Sequence, residues 1–517
     1  MLHALDHFYR AMIYPFNLDL LKIFIYIFNS LCFSSLFFII ARIRNVLKLP
    51  PGPWGLPFLG CLPWMGRGAP NAWLLEQAAR YGDLTSIQLG SNLMVCIGSS
   101  KILRDLFNRP ESIGRPHTPL NNLLSGRGIV LSEGLLWRKQ RQFLHEKFRA
   151  LGVNGVGINQ RFQHCVIVEI EELLVKLEST REQPIDPASF LGRHVHNVIC
   201  QLMMSFRFEE QNPEFKTFNA LVTKGMELYG AIHIGEHLPA YLHLPGKKSV
   251  LQEILRNLRD VSAFHVRIVA ERRRQLFGIN MDNYGPMDLL DYYLLELRNN
   301  SVGSRLFDGA DPDEQIVQVF NDLFSAGMET VRTSLLWALL MMVRNPPVEA
   351  AVRAALAEVL ETGQLVTLDH RARLYYIEAV LYETLRIVSV VPLGTTHVNT
   401  SDWNVNGYKI PAGTHLVPLL NKINMDPELF PNPNNFAPER FISGGKVELP
   451  DAFIPFGVGR RVCLGEQVAK TELFLFFANI MNNFTFYLPE GEPMPELEGV
   501  MGVTHAPLPY KLCFRKI

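Results

Sequence analysis

The chain has 517 residues, 48% of them hydrophobic, which is enough to bury a large core. Lysine plus arginine balance aspartate plus glutamate at 50 each, so no global basic field points to nucleic acid. Seven scattered cysteines with no C-x-x-C pair argue against a zinc site or a disulfide framework and suit a reducing compartment.

The N-terminus departs from this average. Ile23 to Ile40 carries no charge, and Arg42, Arg44 and Lys48 follow it. A membrane-spanning helix takes roughly 20 mostly apolar residues, so the run is just long enough. A cleaved signal would want small residues where these basic ones stand, which favours an uncleaved anchor. The basic flank is expected to keep the rest of the protein in the cytosol, although Arg10 and Lys22 lessen the contrast. The sequons at Asn399 and Asn483 would then stay unmodified. Residues 1–48 are expected to be the anchor with its flanks, and 49–517 a single catalytic domain. The join, Leu49-Pro50-Pro51-Gly52-Pro53-Trp54-Gly55, reads as a stiff extended linker, because proline disfavours helix in the residue before it.

Beyond the linker the pattern is mainly helical, with short β segments such as Thr85–Gly90 and Leu93–Ile97. Trp137-Arg138-Lys139-Gln140-Arg141 puts Trp137 and Arg141 on one helical face. Arg138, Lys139, Lys147 and Arg149 make the same region basic, which by itself reads as a solvated helix face.

The longest helix is predicted from Asp311 to about Arg344. Asp311 is a good N-cap, Pro312 suits the first position, Glu314 completes a capping box, and Asn345-Pro346-Pro347 stops it. At 1.5 Å per residue it would run about 50 Å. Within it, Ala326-Gly327-Met328-Glu329-Thr330 places glycine where it costs about 1 kcal/mol, a cost explained by close helix packing or by room for a small ligand. Further on, Glu383 and Arg386 share a helical face.

Near the C-terminus stands Phe456-Gly457-Val458-Gly459-Arg460-Arg461-Val462-Cys463-Leu464-Gly465, just before a helical pattern opening at Glu466. The thiolate is the metal-binding form of cysteine, and neighbouring cations and a helix N-terminus both favour it. Gly457, Gly459 and Gly465 would let the backbone approach a flat cofactor.

This segment resembles the haem-ligand signature of the cytochrome P-450 monooxygenases, F-x-x-G-x-R-x-C-x-G, with every fixed position filled. The resemblance implies a mainly α fold with small β-sheets, the cytochrome P-450 fold, preceded here by the single N-terminal transmembrane helix. It implies haem b, with Cys463 as axial ligand to the iron, Arg461 on a propionate, and Phe456 and Gly465 packed about the sulfur. Trp137 and Arg141 match the family's W-x-x-x-R and, with Arg115 and His397, would hold propionates. The A-G-x-E-T motif would make Thr330 and Glu329 the pair that delivers protons to the dioxygen being activated. Val331 follows where many relatives carry Thr or Ser. Glu383, Arg386 and Arg440 would form the family's buried structural triad.

Electrons would come from NADPH through NADPH–cytochrome P-450 reductase, with cytochrome b5 as a second donor. The setting implied is the endoplasmic reticulum membrane. Substrate contacts are expected from Pro119–Leu124, Met226–Pro239, Phe324–Thr330 and Val390–Thr395, mostly apolar, for a small lipophilic substrate. At closer range the blocks at residues 51–60, 197–204, 322–330 and 390–397 resemble the insect ecdysteroid 26-hydroxylases. The ecdysteroid 25-hydroxylases share the linker and Val390-Val391-Pro392-Leu393-Gly394. A general xenobiotic or lipid monooxygenase is the broader alternative, and a reductase-independent haem-thiolate isomerase is disfavoured by the intact Glu329–Thr330 pair.

Overall fold

The computed structural model describes residues 22–35, 38–39, 42–43, 46–65, 70–119, 121–124, 126–153, 160–209, 212–277, 285–299 and 305–517, without certain side chains between 223 and 233 and that of residue 70. They fall into two compact units, Met1–Pro51 with Asp402–Pro411, and Gly52–Ser401 with Ala412–Ile517.

In the first unit residues 22–35 are helical, with exposed apolar side chains such as Phe24 and Tyr26. Among the described residues no helix is long and apolar enough to cross a membrane. Residues 36, 37 and 40 of the expected anchor, and its flanking Arg10 and Arg44, lie outside the described residues. The unit also holds an antiparallel hairpin of Trp403–Val405 and Tyr408–Ile410. Its turn residues Asn406 and Gly407 both take positive φ, as a tight hairpin turn demands.

The second unit is mainly helical. In sequence order its first helices are α1 (Pro70–Tyr81), α2 (Ser100–Asn108), α3 (Gly134–Ala150), α4 (Arg161–Ser179) and α5 (Pro187–Met204). Then come α6 (Pro213–Ile232), α7 (Lys247–Gln275), α8 (Leu289–Asn299) and α9 (Pro312–Arg344). The last are α10 (Pro346–Val359), α11 (Tyr375–Val388), α12 (Leu420–Asn424) and α13 (Glu466–Asn483). The main sheet has four strands: Leu84–Leu89 and Asn92–Ile97 pair antiparallel, His415–Pro418 joins the second in parallel, and His397–Val398 closes the edge. Short polar side chains cap α2, α5 and α9. Asp186 caps α5, accepting from the Ala188 N–H at 2.9 Å ahead of Pro187.

Helix α9 occupies the expected span. Asp311 accepts from the Glu314 N–H at 2.9 Å, and Asn345 ends the helix before its prolines. The other half of the expected capping box gives way to an ion pair between the Glu314 carboxylate and Arg127. Helices α5, α7, α11 and α13 pack around α9, whose run from Leu335 to Met342 is wholly buried. This packing, more than helix propensity, stabilises so long an element. The helix is continuous through Gly327, and a Cβ there would lie 2.8 Å from the Ile199 side chain of α5. Close helix packing thus accounts for that glycine.

Candidate haem-thiolate site

Cys463 lies in the loop between Phe456 and α13. The loop closes on itself where the Cys463 N–H donates to the Phe456 carbonyl at 3.0 Å. Gly459 is required here for two reasons: its φ is 83°, and a Cβ would stand 2.2 Å from the Phe107 carbonyl oxygen. The close approach is to the end of α2, not to a cofactor. Gly457 also takes positive φ but has open space beside it, whereas Gly465, at φ −90°, would bring a Cβ only into ordinary contact with Cys463 Sγ.

The Cys463 sulfur is enclosed by protein except where it faces a cavity of about 340 Å³. Burial pushes its thiol up, while the Gly465 N–H and Arg141 pull the other way. The sequence argument from nearby cations and a helix N-terminus therefore loses to desolvation. Metal coordination would reverse the balance, since a coordinated thiol is deprotonated outright.

Three guanidinium groups converge beside the sulfur, and all line the cavity. Arg461 donates from Nη1 to Val130 O at 3.2 Å and from Nη2 to Ser132 O, with its Cζ 4.4 Å from the centre of the Trp137 ring. Arg115 donates from Nε to Val130 O at 2.9 Å and from Nη1 to Thr396 O at 2.8 Å. Arg141 donates from Nη2 to Val462 O at 2.6 Å, tying α3 to the cysteine loop. Burial, then mutual repulsion, lowers Arg461 to about 8; burial lowers Arg115 to about 10, against the pull of Glu133. A guanidinium is effectively always protonated, so such shifts measure how strongly the site favours an anion.

His397 stacks on Phe107 with centroids 3.9 Å apart and approaches the Ser112 carbonyl through Nδ1 at 2.9 Å. Burial, then Arg115 and Arg461, pushes its pKa well below the ordinary value. The ring is therefore neutral, with Nδ1–H as donor and Nε2 as acceptor.

These residues fit haem. The sulfur is a soft donor, the buried Arg461 Nε has no partner among the described residues, and clustered cations beside an aromatic wall suit a flat dianion. Arg115, Trp137, Arg141, His397, Phe456, Arg461, Cys463 and Gly465 all meet at this one cavity.

Thr330 also lines the cavity and donates its hydroxyl to the Ala326 carbonyl at 2.8 Å. Glu329 does not line it. Its carboxylate pairs with Arg332 at 2.5 Å and accepts from Thr333 at 3.2 Å and Thr504 at 3.5 Å. Val390, Val391, Gly394 and Thr395 line the cavity as expected. Among the described residues none of 119–124 or 226–239 does so, and Phe324 turns instead into an aromatic cluster with His196 and Phe218.

Sequence reasoning missed Ile199, Leu202 and Met203 of α5, and it missed Asp322. Burial raises the Asp322 carboxyl to about 6, against hydrogen bonds from Val130, Ile129 and Gln318. Asp322 is the one acidic residue between Glu314 and Glu329 of α9, and that was the available signal.

Comparison with known proteins agrees. The family model described as Cytochrome P450 matches residues 50–514. "Cytochrome P450 18a1" of Drosophila melanogaster is 41% identical over 483 residues, covering 92% of this chain and 89% of its own. "Cytochrome P450 2U1" of Rattus norvegicus is 32% identical over 495 residues, covering 90% and 91%. "Cytochrome P450 2J2" of Homo sapiens is 30% identical, covering 91% and 92%. With a family match over nearly its whole length, and a sulfur, three arginines and an aromatic ring lining one cavity, the chain belongs to the cytochrome P-450 family of haem-thiolate monooxygenases.

Proposed function

We propose that this monooxygenase hydroxylates carbon 26 of an ecdysteroid, inactivating the hormone, from an anchored position on the endoplasmic reticulum membrane. One observation carries the reading: the Cys463 sulfur and the Thr330 hydroxyl share a chamber whose remaining wall is largely apolar. The four blocks that resemble ecdysteroid 26-hydroxylases support the substrate, and so does the 41% identity to an insect relative.

When bound, haem b supplies the redox chemistry that activates O2, drawing electrons from NADPH through its reductase. Cys463 would hold the iron and donate electron density to it, with the Gly465 N–H tempering the charge on sulfur. Arg115, Trp137, Arg141, His397 and Arg461 would hold the propionates. Phe456 would cover the face beside the sulfur. Ile129, Ile199, Leu202, Met203 and Val391 would exclude water and orient a rigid apolar skeleton.

Thr330, whose hydroxyl donates to the Ala326 carbonyl, would turn its Oγ1 proton toward the cavity it lines. Glu329, ringed by Arg332, Thr333 and Thr504, would be the acid end of the proton path behind it. Arg138 and Arg149, exposed on α3, would meet the reductase or cytochrome b5. Residues 23–40 would hold the domain to the membrane, placing the apolar substrate within reach.

The test is product analysis by mass spectrometry and NMR, with reductase-containing microsomes, NADPH, ecdysone, 20-hydroxyecdysone and a 25-deoxy precursor. Oxidation at carbon 26 is expected. Oxidation of the precursor at carbon 25 would move the enzyme to hormone synthesis, and no product from haem-loaded enzyme would reject the steroid reading.

A further inference from the structure

The segment Gly128–Ser132 lies between the distal helix α9 and the arginines beside Cys463, and it is hydrogen-bonded on both sides. From α9, Gln315 makes two bonds to one residue: it accepts from the Gly128 N–H at 3.0 Å and donates to the Gly128 carbonyl at 2.9 Å. Asp322 accepts from the Ile129 and Val130 N–H groups through one oxygen, at 2.7 and 2.9 Å. Gln318 donates to the other Asp322 oxygen at 2.8 Å. On the far side, Val130 O receives Arg115 and Arg461, and Ser132 O receives Arg461 again. The Ser132 hydroxyl ties the segment to itself through the Gly128 carbonyl at 2.7 Å.

The arrangement is electrostatically directional. Val130 presents its N–H to a buried anion and its C=O to two buried cations, so backbone dipoles mediate between charges that do not touch. Gly128 makes the approach possible: its φ is 82°, and a Cβ would stand 2.2 Å from Asp322 Oδ2. Hydrogen bonds to a charged group are shorter and stronger than neutral ones, so the carboxylate is the firmest hold on the segment.

We propose that Asp322 is a positioning residue for the cofactor: by clamping Gly128–Ser132 it fixes the guanidinium groups of Arg115 and Arg461, and so sets how tightly haem is retained. This rests on the reading of Arg115 and Arg461 as propionate partners. Asp322 acts through the loop and touches no reacting atom. The clamp also makes the distal helix and the propionate cradle one mechanical unit.

The experiment measures haem transfer from the ferric full-length protein to excess apomyoglobin, followed by absorbance, with propionate bending modes read by resonance Raman. Because a hydrogen bond to a charged group is lost, Asp322→Asn is expected to speed haem release about tenfold or more and to shift the propionate modes. Arg461→Lys should speed release as well, and the double variant should release haem less rapidly than the product of the two single effects. Independent, multiplicative effects, or unshifted propionate modes in Asp322→Asn, overturn the clamp. Unchanged release in Arg461→Lys overturns the propionate reading instead. Where Asp322→Asn yields no haem-loaded protein, Gln318→Ala removes only the support of the second oxygen. It should speed release a few-fold, and an unchanged rate would overturn the proposal.

Discussion

Arg386 and Arg440 meet Glu383 in a network whose guanidinium donors are satisfied within the protein, whereas Arg115, Arg141 and Arg461 converge on a cavity that Asp322 also lines, with Glu133 as the carboxylate that offsets the charge of Arg115 and Arg461. In the first group Arg386 Nε and Nη2 lie 2.7 and 2.8 Å from the two Glu383 oxygens, and Arg440 Nε adds a contact at 3.0 Å. Arg386 also donates to the carbonyls of Asn424 and Pro433, at 2.8 and 2.7 Å. In the second group the guanidinium groups repel one another, and Arg461 Nε is buried without a partner among the described residues. Buried ion networks satisfied from within hold a fold together. Buried cations left in excess mark the place of an anionic ligand, which we propose to be the two carboxylates of haem.

The sharpest variant leaves both arginine groups intact and removes only the sulfur. Cys463→Ser should abolish turnover and the thiolate-type reduced-CO band, and undiminished turnover would overturn the thiolate assignment. Next comes the network around Glu383. Glu383→Ala strands the buried Arg386 guanidinium and removes a partner from the half-buried Arg440, at a cost of roughly 3–5 kcal/mol, and should leave little folded haem protein by the reduced-CO spectrum.

Asp322 supplies the intermediate case, a buried carboxyl held by amides with no guanidinium on it. Its folded pKa is raised from 3.8 to about 6, so its contribution to stability is fully present below pH 3.8 and is lost as pH rises through 6. Wild type should therefore lose about 3 kcal/mol relative to Asp322→Asn across that window, at 1.36 kcal/mol per unit. Chemical denaturation of both proteins at several pH values reads the difference, and a flat difference would remove the linkage.

A smaller effect is expected for Arg461→Ala. It should speed haem loss by about 1.5–3 kcal/mol of lost charged hydrogen bonding, yet leave apoprotein stability nearly unchanged, because the apoprotein is relieved of a repelled charge. Equal destabilisation of both forms would erase the contrast between the two arginine groups. The smallest expected effect is Arg127→Ala, which breaks the exposed pair with Glu314 and should stay within about 1 kcal/mol in thermal unfolding.

Local spacing made much of the site legible in advance. Trp137 and Arg141 recur at helical spacing, Glu383 and Arg386 stand three apart, and Cys463 sits in a ten-residue signature; all three are relations between near neighbours in the sequence. The boundaries of α9 were legible for the same reason, through Asp311, Pro312 and the prolines after Asn345. Glu314 was read as a capping partner because a box is a local pattern, but Arg127, far away in sequence, takes its carboxylate.

Tertiary structure alone decided the rest. The hydrogen bonds from Ile129 and Val130 to Asp322 join residues 193 and 192 positions apart, a distance across which no periodicity carries information. Which faces of α5 and α9 line the cavity, why Gly459 must be glycine, and which way Phe324 and Glu329 turn all depend on neighbours brought in by packing. So does the acidity of Cys463. Sequence shows which charges are near one another along the backbone, but the desolvation that outweighs them exists only once the core has closed.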